Sequence, residues 1–222
     1  MSSVILGDEF FAKKFKNSIL ISQNKNLSEP VASHPDMNLF VCDKTAFLPK
    51  NSPLESVLKE KGYNVIFIKN ELKSEYPFDV LFNAKIVDDT AILNEKTIAK
   101  EILEYLKESN KTIINVNQGY SACSVLALNK NAFITSDKGV AKVLKETGKD
   151  VLKICEGYIN IKDYSYGFIG GASGFIDGIL YFFGDITCHP DFKSIDEFLR
   201  KNNVKYKYFN TPLKDIGGCI EI

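Results

Sequence analysis

The two histidines of the chain, His34 and His189, both stand in the tripeptide His-Pro-Asp. An imidazole that titrates near neutral pH, with an aspartate to orient it, is a typical general acid or base. Asp191 stands shortly before an amphipathic run and also suits a helix start, whereas His34 precedes a strand pattern that capping does not explain. His34 and Asp36 are therefore the first catalytic candidates, and His189 and Asp191 are the second.

Two of the five cysteines stand in contexts that suit a nucleophile. Cys219 follows Gly217 and Gly218 in a closing strand pattern, and Cys123 follows the turn-like stretch Gln118-Gly-Tyr-Ser-Ala. A thiolate at either position could attack the carbon of an amidine. A buried thiol that packs as a small apolar side chain explains both cysteines as well, so the sequence leaves open which of them reacts, or whether either does.

The composition argues against several other kinds of chemistry. Lys and Arg together number 28, as do Asp and Glu, so the chain has no bulk attraction for nucleic acid. Its cysteines and histidines lack the local spacing of a zinc site, and no GxGxxG or Walker motif predicts a nucleotide cofactor. We therefore expect a small-molecule ligand, with neither metal nor cofactor; the sequence does not predict the oligomeric state.

The expected location is the cytoplasm, without membrane association. Asp8 and Glu9 stand where a signal peptide would have its apolar core. No apolar run reaches the ~18 residues of a membrane-spanning helix. The cysteines are odd in number and scattered, which is typical of a protein whose thiols stay reduced.

The elements that must position these residues follow a repeated pattern. An amphipathic helix, a strand, a turn and a hairpin recur in that order, with helices predicted to start near residues 54, 97, 138 and 194. Gly62 and Gly148 stand where helices would stop. The two ends of the chain complete a fifth unit, in which strands from 17–22 and 204–222 pair and close a ring. An open α/β sheet with alternating strands and helices is the alternative.

Polar residues recur at the starts of the predicted hairpins. In a ring of such units these starts face the central axis, so the side chains should converge on one pocket. Catalysis is assigned above to the histidine motifs and the two cysteines, and the remaining polar positions and glycines are expected to bind the substrate. The expected binding residues are Asp79, Asn83, Gln118, Gly170, Gly171 and Asp215.

Three stretches resemble motifs of the pentein superfamily, the guanidino-group-modifying enzymes. The stretch HPDMNLFVCD from His34 is similar to the superfamily's HxD strand, Gly217-Gly218-Cys219 resembles the approach to its nucleophilic cysteine, and Phe168-Ile-Gly-Gly171 resembles its Glu-Gly-Gly-Asp turn. The resemblance implies an α/β fold, a five-fold pseudosymmetric propeller whose ring the two termini close, with residues 1–222 as a single domain. Within the superfamily, the sequence resembles an uncharacterised bacterial branch.

The resemblance also implies a function, namely a cysteine-dependent hydrolase or transferase acting on a small amidine- or guanidine-like compound in a central pocket. The alternative is a catalytically silent protein of this fold that binds a small ligand or a protein partner, as does the ribosome-binding relative translation initiation factor six. Three departures favour the alternative. The HxD motif stands in the first unit, Ile169-Gly-Gly-Ala172 lacks the flanking acids, and Arg200 is the single arginine.

Overall fold

The computed structural model describes residues 2–222, and in this range the chain forms fifteen β-strands and seven α-helices. The strands are Val4–Leu6 (β1), Ser18–Leu20 (β2), Phe40–Cys42 (β3), Thr45–Leu48 (β4), Asn64–Phe67 (β5), Lys85–Val87 (β6), Thr90–Leu93 (β7), Thr112–Asn115 (β8), Val125–Asn129 (β9), Ala132–Thr135 (β10), Asp150–Lys153 (β11), Ser173–Ile176 (β12), Ile179–Phe182 (β13), Tyr206–Tyr208 (β14) and Cys219–Glu221 (β15). The helices are Glu9–Ala12 (α1), Pro35–Asn38 (α2), Glu55–Glu60 (α3), Lys100–Glu108 (α4), Ser121–Ser124 (α5), Lys138–Glu146 (α6) and Phe192–Lys201 (α7). No helix in this range is long and apolar enough to cross a membrane.

Residues 2–222 form five three-stranded sheets, and four of these share one arrangement. Two strands pair as an antiparallel hairpin, the chain crosses over through a helix, and the third strand pairs parallel to the second, as in β3, β4, α3 and β5. A parallel neighbour needs such a crossover. The strand after each helix therefore belongs with the hairpin before it, whereas the sequence pattern predicts that it belongs with the hairpin after it.

The crossover helices α3, α4, α6 and α7 end in the same way. The second residue after each helix is left-handed, with φ of 78° at Gly62, 55° at Asn110, 78° at Gly148 and 56° at Asn203. The N–H of the following residue bonds a carbonyl of the last helical turn, an arrangement that favours glycine and asparagine. The predicted stops at Gly62 and Gly148 are confirmed, and the two asparagines show that the conformation repeats where the residue type does not.

The fifth sheet joins strands from the two ends of the chain. β15 pairs antiparallel with β1, from Val4 opposite Glu221 to Leu6 opposite Cys219, and β2 pairs parallel on the other side of β1. Residues 17–22 and the C-terminal strand thus share a sheet, as the sequence predicts. The prediction extends to residue 204, however, and β14 pairs with β13 instead, because the strand after α7 returns to the hairpin before it.

Apolar clusters hold neighbouring sheets together, each cluster drawing on two sheets. Burying such side chains stabilises the fold by roughly 25 cal/mol per Å² of apolar surface removed from water. The clusters join β1 to β4, β4 to β7, β7 to β10, β9 to β13, and β12 to β1. Every sheet therefore shares apolar contacts with two others.

Candidate active site

The polar residues that the sequence aligns at the hairpin starts lie in five segments that come together. We call them the convergent segments: residues 33–39 before β3, 79–84 before β6, 118–124 before β9, 167–172 before β12 and 215–218 before β15. Hydrogen bonds link consecutive segments, and their donors and acceptors are Asn83 Nδ2 to the Asp36 carbonyl (3.4 Å), the Ala122 N–H to Asn83 Oδ1 (2.7 Å), the Gly171 N–H to the Cys123 carbonyl (3.0 Å), and the Gly218 N–H to the Gly171 carbonyl (2.8 Å).

The first His-Pro-Asp motif forms a helical turn at the start of these contacts. Pro35 occupies the first position of α2, where a missing N–H costs nothing. Asn38 Nδ2 then donates to the carbonyls of Ala32 and His34, at 3.0 and 2.9 Å. The expectation that His34 directly precedes a strand is corrected, because one turn of helix intervenes. The His34 side chain makes no capping bond and is left for other contacts.

The thiol of Cys123 contacts a carboxylate and an amide from two other segments. Its Sγ lies 2.7 Å from Asp36 Oδ2, to which the thiol can donate, and 3.3 Å from Asn83 Nδ2, which donates to the sulfur. Asn83 is held in turn by the backbone before Cys123. Asp36 thus bonds the thiol and does not orient His34, which differs from the role that the tripeptide predicts.

Burial controls the protonation of this pair. Burial, and then the nearby Asp215 carboxylate, raise the pKa of Asp36 to about 7. Burial and the Asp36 charge raise the pKa of the Cys123 thiol well above its usual value. Asp36 Oδ1 is buried without a hydrogen-bond partner. Asp36 therefore titrates near neutral pH, while Cys123 stays a protonated thiol.

The carboxylate beside His34 is Asp215. Its oxygens accept the N–H of Phe168 at 2.8 Å and the N–H of Gly217 at 3.0 Å, and His34 Nδ1 lies 3.9 Å from Oδ1. Burial raises the pKa of Asp215 to about 6 and, with Lys214, lowers the pKa of His34 to about 3. The imidazole is therefore neutral at physiological pH, contrary to the expectation that it titrates near neutrality.

A cavity of about 400 Å³ opens on this group. His34, Cys123 and Asp215 lie in its wall together with Gln118 and aromatic side chains, while Asp36 stands behind the thiol. The aromatic rings are Tyr120, Tyr164, Tyr166 and Phe168, and the aliphatic lining is Val31, Met37 and Ile161. A volume of this size suits a small molecule.

Asp79 reaches the same cavity through a tyrosine. The Tyr120 hydroxyl donates to Asp79 Oδ2, and the other carboxylate oxygen is buried without a partner. Burial raises the pKa of Asp79. Gln118 is likewise tied, because its Nε2 donates to Asp137 at 2.9 Å. The sequence predicts that both side chains line one pocket; Gln118 lines this cavity, whereas Asp79 contacts its wall through Tyr120.

Cys219 faces a second cavity, of about 380 Å³, in which Lys85, Glu221 and Asp36 also lie. Its Sγ contacts the Phe175 carbonyl at 3.6 Å, and burial raises the pKa of the thiol to about 12. Gly170 borders this cavity and not the cavity of Cys123. The structure thus places the two candidate cysteines in different cavities. Asp36 lines the cavity of Cys219 and contacts the thiol of Cys123.

His189 and Asp191 lie apart from the convergent segments. They belong to the turn between β13 and α7, and His189 borders a third cavity, of about 600 Å³. The Asp191 N–H donates to His189 Nδ1 at 3.1 Å, and the Asp191 carboxylate accepts the N–H of Cys155 at 2.6 Å. Asp191 stands at the N-cap position of α7 without a side-chain capping bond. These contacts fix a turn, and the structure does not bring the pair to Cys123.

Some residues around the cavities give little signal in the sequence. Lys85 begins β6 in the alternating run Lys-Ile-Val, which is typical of a solvent-facing lysine, yet it is half-buried and burial lowers its pKa. Tyr164 and Tyr166 stand in a polar loop. Within residues 2–222 no three or more His, Cys, Asp or Glu side chains are placed to hold a metal ion.

Comparisons with solved structures identify the fold. The chain is similar to DDAH from Pseudomonas aeruginosa, a cysteine-to-serine mutant complexed with citrulline, with a TM-score of 0.60 at 10% identity over 100% of both chains. It is similar to the agmatine deiminase of C. jejuni with substrate bound (0.56, 13%, 98% of this chain and 80% of that one). It is also similar to ArgZ, an arginine dihydrolase from cyanobacteria (0.53, 11%, 96% and 37%).

All of these proteins are penteins, and the fold of this chain is that of the pentein superfamily. The chain belongs to the family of unknown function DUF6873, whose model matches residues 8–220. No curated protein matches it.

Proposed function

We propose that this protein is a cysteine-dependent hydrolase or transferase that acts on a small amidine- or guanidine-like compound, with Cys123 as the nucleophile. The observation that carries the proposal is the 2.7 Å contact between the Cys123 thiol and Asp36, beside a cavity that also contains His34 and Asp215. A carboxylate at this distance can take the thiol proton, and the thiolate is the reactive form. The names of the structural neighbours, an agmatine deiminase and an arginine dihydrolase, agree with such a substrate.

A cationic substrate would supply a positive charge next to the Asp215 carboxylate and the Cys123 thiol. An amidinium near Asp215 and Cys123 favours the ionised forms of the carboxylates and of the thiol, because an opposite charge lowers the pKa of an acid. The thiol proton passes to Asp36, and the sulfur forms a bond to the amidinium carbon. When a carbon–nitrogen bond breaks, the departing nitrogen takes a proton from Asp36.

His34 has the properties required for the second half of the reaction. It is neutral, because burial lowers its pKa to about 3. A bound cation that keeps Asp215 ionised beside it would favour the protonated imidazole, so that His34 can accept a proton. Water, or an incoming amine in a transferase, gives its proton to His34 as it attacks the same carbon. The carbon–sulfur bond then breaks, and the sulfur takes up the proton that His34 holds, which restores the thiol. A product formed with water releases its remaining hydroxyl proton to solvent. Asp215 beside His34 stabilises the imidazolium that forms during this step.

The test is site-resolved labelling with a haloacetamidine, a cationic electrophile that resembles the substrate head. We expect alkylation at Cys123, retained in Cys219→Ser and lost in Cys123→Ser. Labelling at Cys219 alone would move the nucleophile to the second cavity. No labelling at either cysteine across the pH range would refute the proposal. Turnover of a guanidino compound, abolished by Cys123→Ala, would complete the assignment.

A second candidate function is ligand binding without catalysis. One observation favours it: Cys123 is 4% exposed, and its pKa is raised well above the usual value of a thiol. A thiol that no ligand ionises would be structural, and the cavity would then bind a small molecule or part of a protein partner. Any turnover that depends on Cys123 excludes this alternative.

We further propose that the five sheets form one closed ring and therefore a single domain, with the convergent segments at its axis. Two observations support this. β15 pairs with β1, and each sheet shares an apolar cluster with two others. We expect a single cooperative unfolding transition, with the same midpoint whichever of the five sheets carries a fluorescence probe.

A further inference from the structure

We infer that the compound taken by the cavity around Cys123 is a cation that bears no carboxylate, an alkylamidine or alkylguanidine and not a guanidino amino acid. The inference deepens the proposed function and rests on it. It comes from the charges in the cavity wall and around its mouth.

The wall offers a cation a carboxylate and offers an anion no group of opposite charge. The charged group that lines it is Asp215, and its other polar groups are the neutral side chains of His34, Gln118, Tyr120, Cys123, Tyr164, Ser165 and Tyr166. Among the described residues, no lysine or arginine lines this cavity. A carboxylate on the ligand would therefore be desolvated without an ion pair, a state that costs free energy.

Two basic groups next to the cavity are already paired with acids. Lys162 Nζ lies 2.6 Å from Glu29, and Lys214 Nζ lies 2.8 Å from Asp8. Both lysines border a neighbouring cavity.

Lys85 lies close enough to Asp36 and Asp215 to lower the pKa of both, but it lines the cavity of Cys219 and not that of Cys123. The single arginine, Arg200, pairs with Asp196 at 2.9 Å on α7. A substrate carboxylate would therefore have to break an ion pair or reach into the other cavity to meet a basic group.

Two acids outside the wall contact its polar side chains. Gln118 is hydrogen-bonded to Asp137, and the Tyr166 hydroxyl donates to Glu156 at 3.1 Å. Their negative charge repels an anionic tail and tolerates a neutral or cationic one.

The aromatic rings suit a planar cation. The rings of Tyr120 and Phe168 are 6.4 Å apart between centroids and inclined by 26°, and the Tyr166 ring meets Phe168 edge-on at 6.2 Å. A planar amidinium can lie against such faces. The alkyl part of the ligand can then contact Met37 and Ile161.

The experiment compares butylguanidine with γ-guanidinobutyrate, which differs chiefly in its terminal carboxylate, by calorimetry on the full chain. We expect butylguanidine to bind at least about tenfold more tightly, which corresponds to ~1.4 kcal/mol. Equal or tighter binding of the carboxylate compound overturns the inference but leaves the proposed function intact, provided that Cys123 still reacts with a haloacetamidine. Binding of neither compound overturns both.

A gain-of-function variant gives an independent test. Ser165 is exposed at the cavity mouth, so Ser165→Arg should fold normally and supply the missing cation. We expect it to bind γ-guanidinobutyrate more tightly and butylguanidine no better, while Ser165→Gln changes neither. If Ser165→Arg left the preference for butylguanidine over γ-guanidinobutyrate unchanged, the inference would be contradicted, because the charge of the wall would then not determine which compound binds.

Discussion

The Cys123 thiol and the Asp36 carboxylate lie 2.7 Å apart, although they come from segments that precede different sheets. The carboxylate has two opposing effects on the sulfur. Its charge raises the pKa of the thiol, and its oxygen is the group to which the thiol proton can move. Which effect dominates depends on the charge of whatever approaches the sulfur.

Asp36→Asn should therefore change the reactivity of Cys123 in opposite directions for two reagents. With neutral iodoacetamide, alkylation at pH 7 should become faster by about tenfold, because the thiol pKa falls when the negative charge is removed. With a cationic haloacetamidine, alkylation should slow by about tenfold, since the proton acceptor and the counter-charge are both lost. Mass spectrometry of the peptide that contains Cys123 measures both rates. Asp196→Asn, on α7, should alter neither, and parallel changes with the two reagents would contradict this account.

The raised pKa of Asp36 should appear in stability as well as in reactivity. The pKa rises from 3.8 to about 7 on folding, so within that window the folded chain holds a proton that the unfolded chain has released. The contribution of Asp36 to the free energy of unfolding therefore falls as pH rises from about 4 to 7, and the comparison with Asp36→Asn isolates it from the opposite contribution of His34, whose pKa is lowered on folding. Asp36→Asn should match the native protein near pH 4 and be more stable at pH 8, by an amount on the order of a few kcal/mol. Urea unfolding measures the difference in free energy of unfolding between the two proteins. If that difference were the same at every pH, the raised pKa of Asp36 would be ruled out.

His34→Asn and His189→Asn should separate the two His-Pro-Asp motifs. We expect His34→Asn to lower turnover by about a hundredfold, because the cavity loses its neutral base. The pH dependence near neutrality should remain, since it belongs to the carboxyl groups of Asp36 and Asp215. His189→Asn should leave turnover unchanged, because His189 lies in another cavity. Steady-state rates between pH 5 and 9 test this. Equal losses from both changes would show that the two histidines share one role.

The structure also explains what the sequence can and cannot predict. Asn83, Cys123 and Asp215 are predictable as a group, because each stands at a fixed place before a strand and the repeat brings such places together. The pairing of Cys123 with Asp36, and of His34 with Asp215, is not predictable, because sequence order does not say which neighbours meet. For the same reason, sequence order does not predict that the two identical His-Pro-Asp tripeptides lie in different surroundings.

Gly217 offers a test of how closely the backbone approaches His34. Its φ is 74°, and an added Cβ would overlap the side chain of His34; Gly178 has the same φ with nothing within 4 Å. Gly178→Ala should therefore lose only the roughly 1 kcal/mol of the left-handed conformation. Gly217→Ala should lose clearly more and should also slow the labelling of Cys123. Urea unfolding and alkylation rates measure the two effects. Equal stability losses in the two variants would show that the His34 side chain can move aside without a loss of stability.

Removal of residues 215–222 should unfold the protein or lower its melting temperature by more than about 10 °C. The deletion removes β15 and leaves one edge of β1 unpaired. Glu221→Ala, which keeps the backbone hydrogen bonds of β15, serves as the control and should melt close to the native protein. A shortened chain with an unchanged melting temperature would show that the pairing of β1 with β15 contributes little.

The same pairing affects how the protein is synthesised. The ribosome releases Val4 long before Glu221, yet these residues lie opposite each other in the finished sheet. The hairpins from β3 onward can form from local contacts as they emerge, whereas one edge of β1 stays exposed until β15 has been synthesised. During that interval another molecule could pair with this edge, so a chaperone that covers β1 until β15 emerges would protect the nascent chain from aggregation.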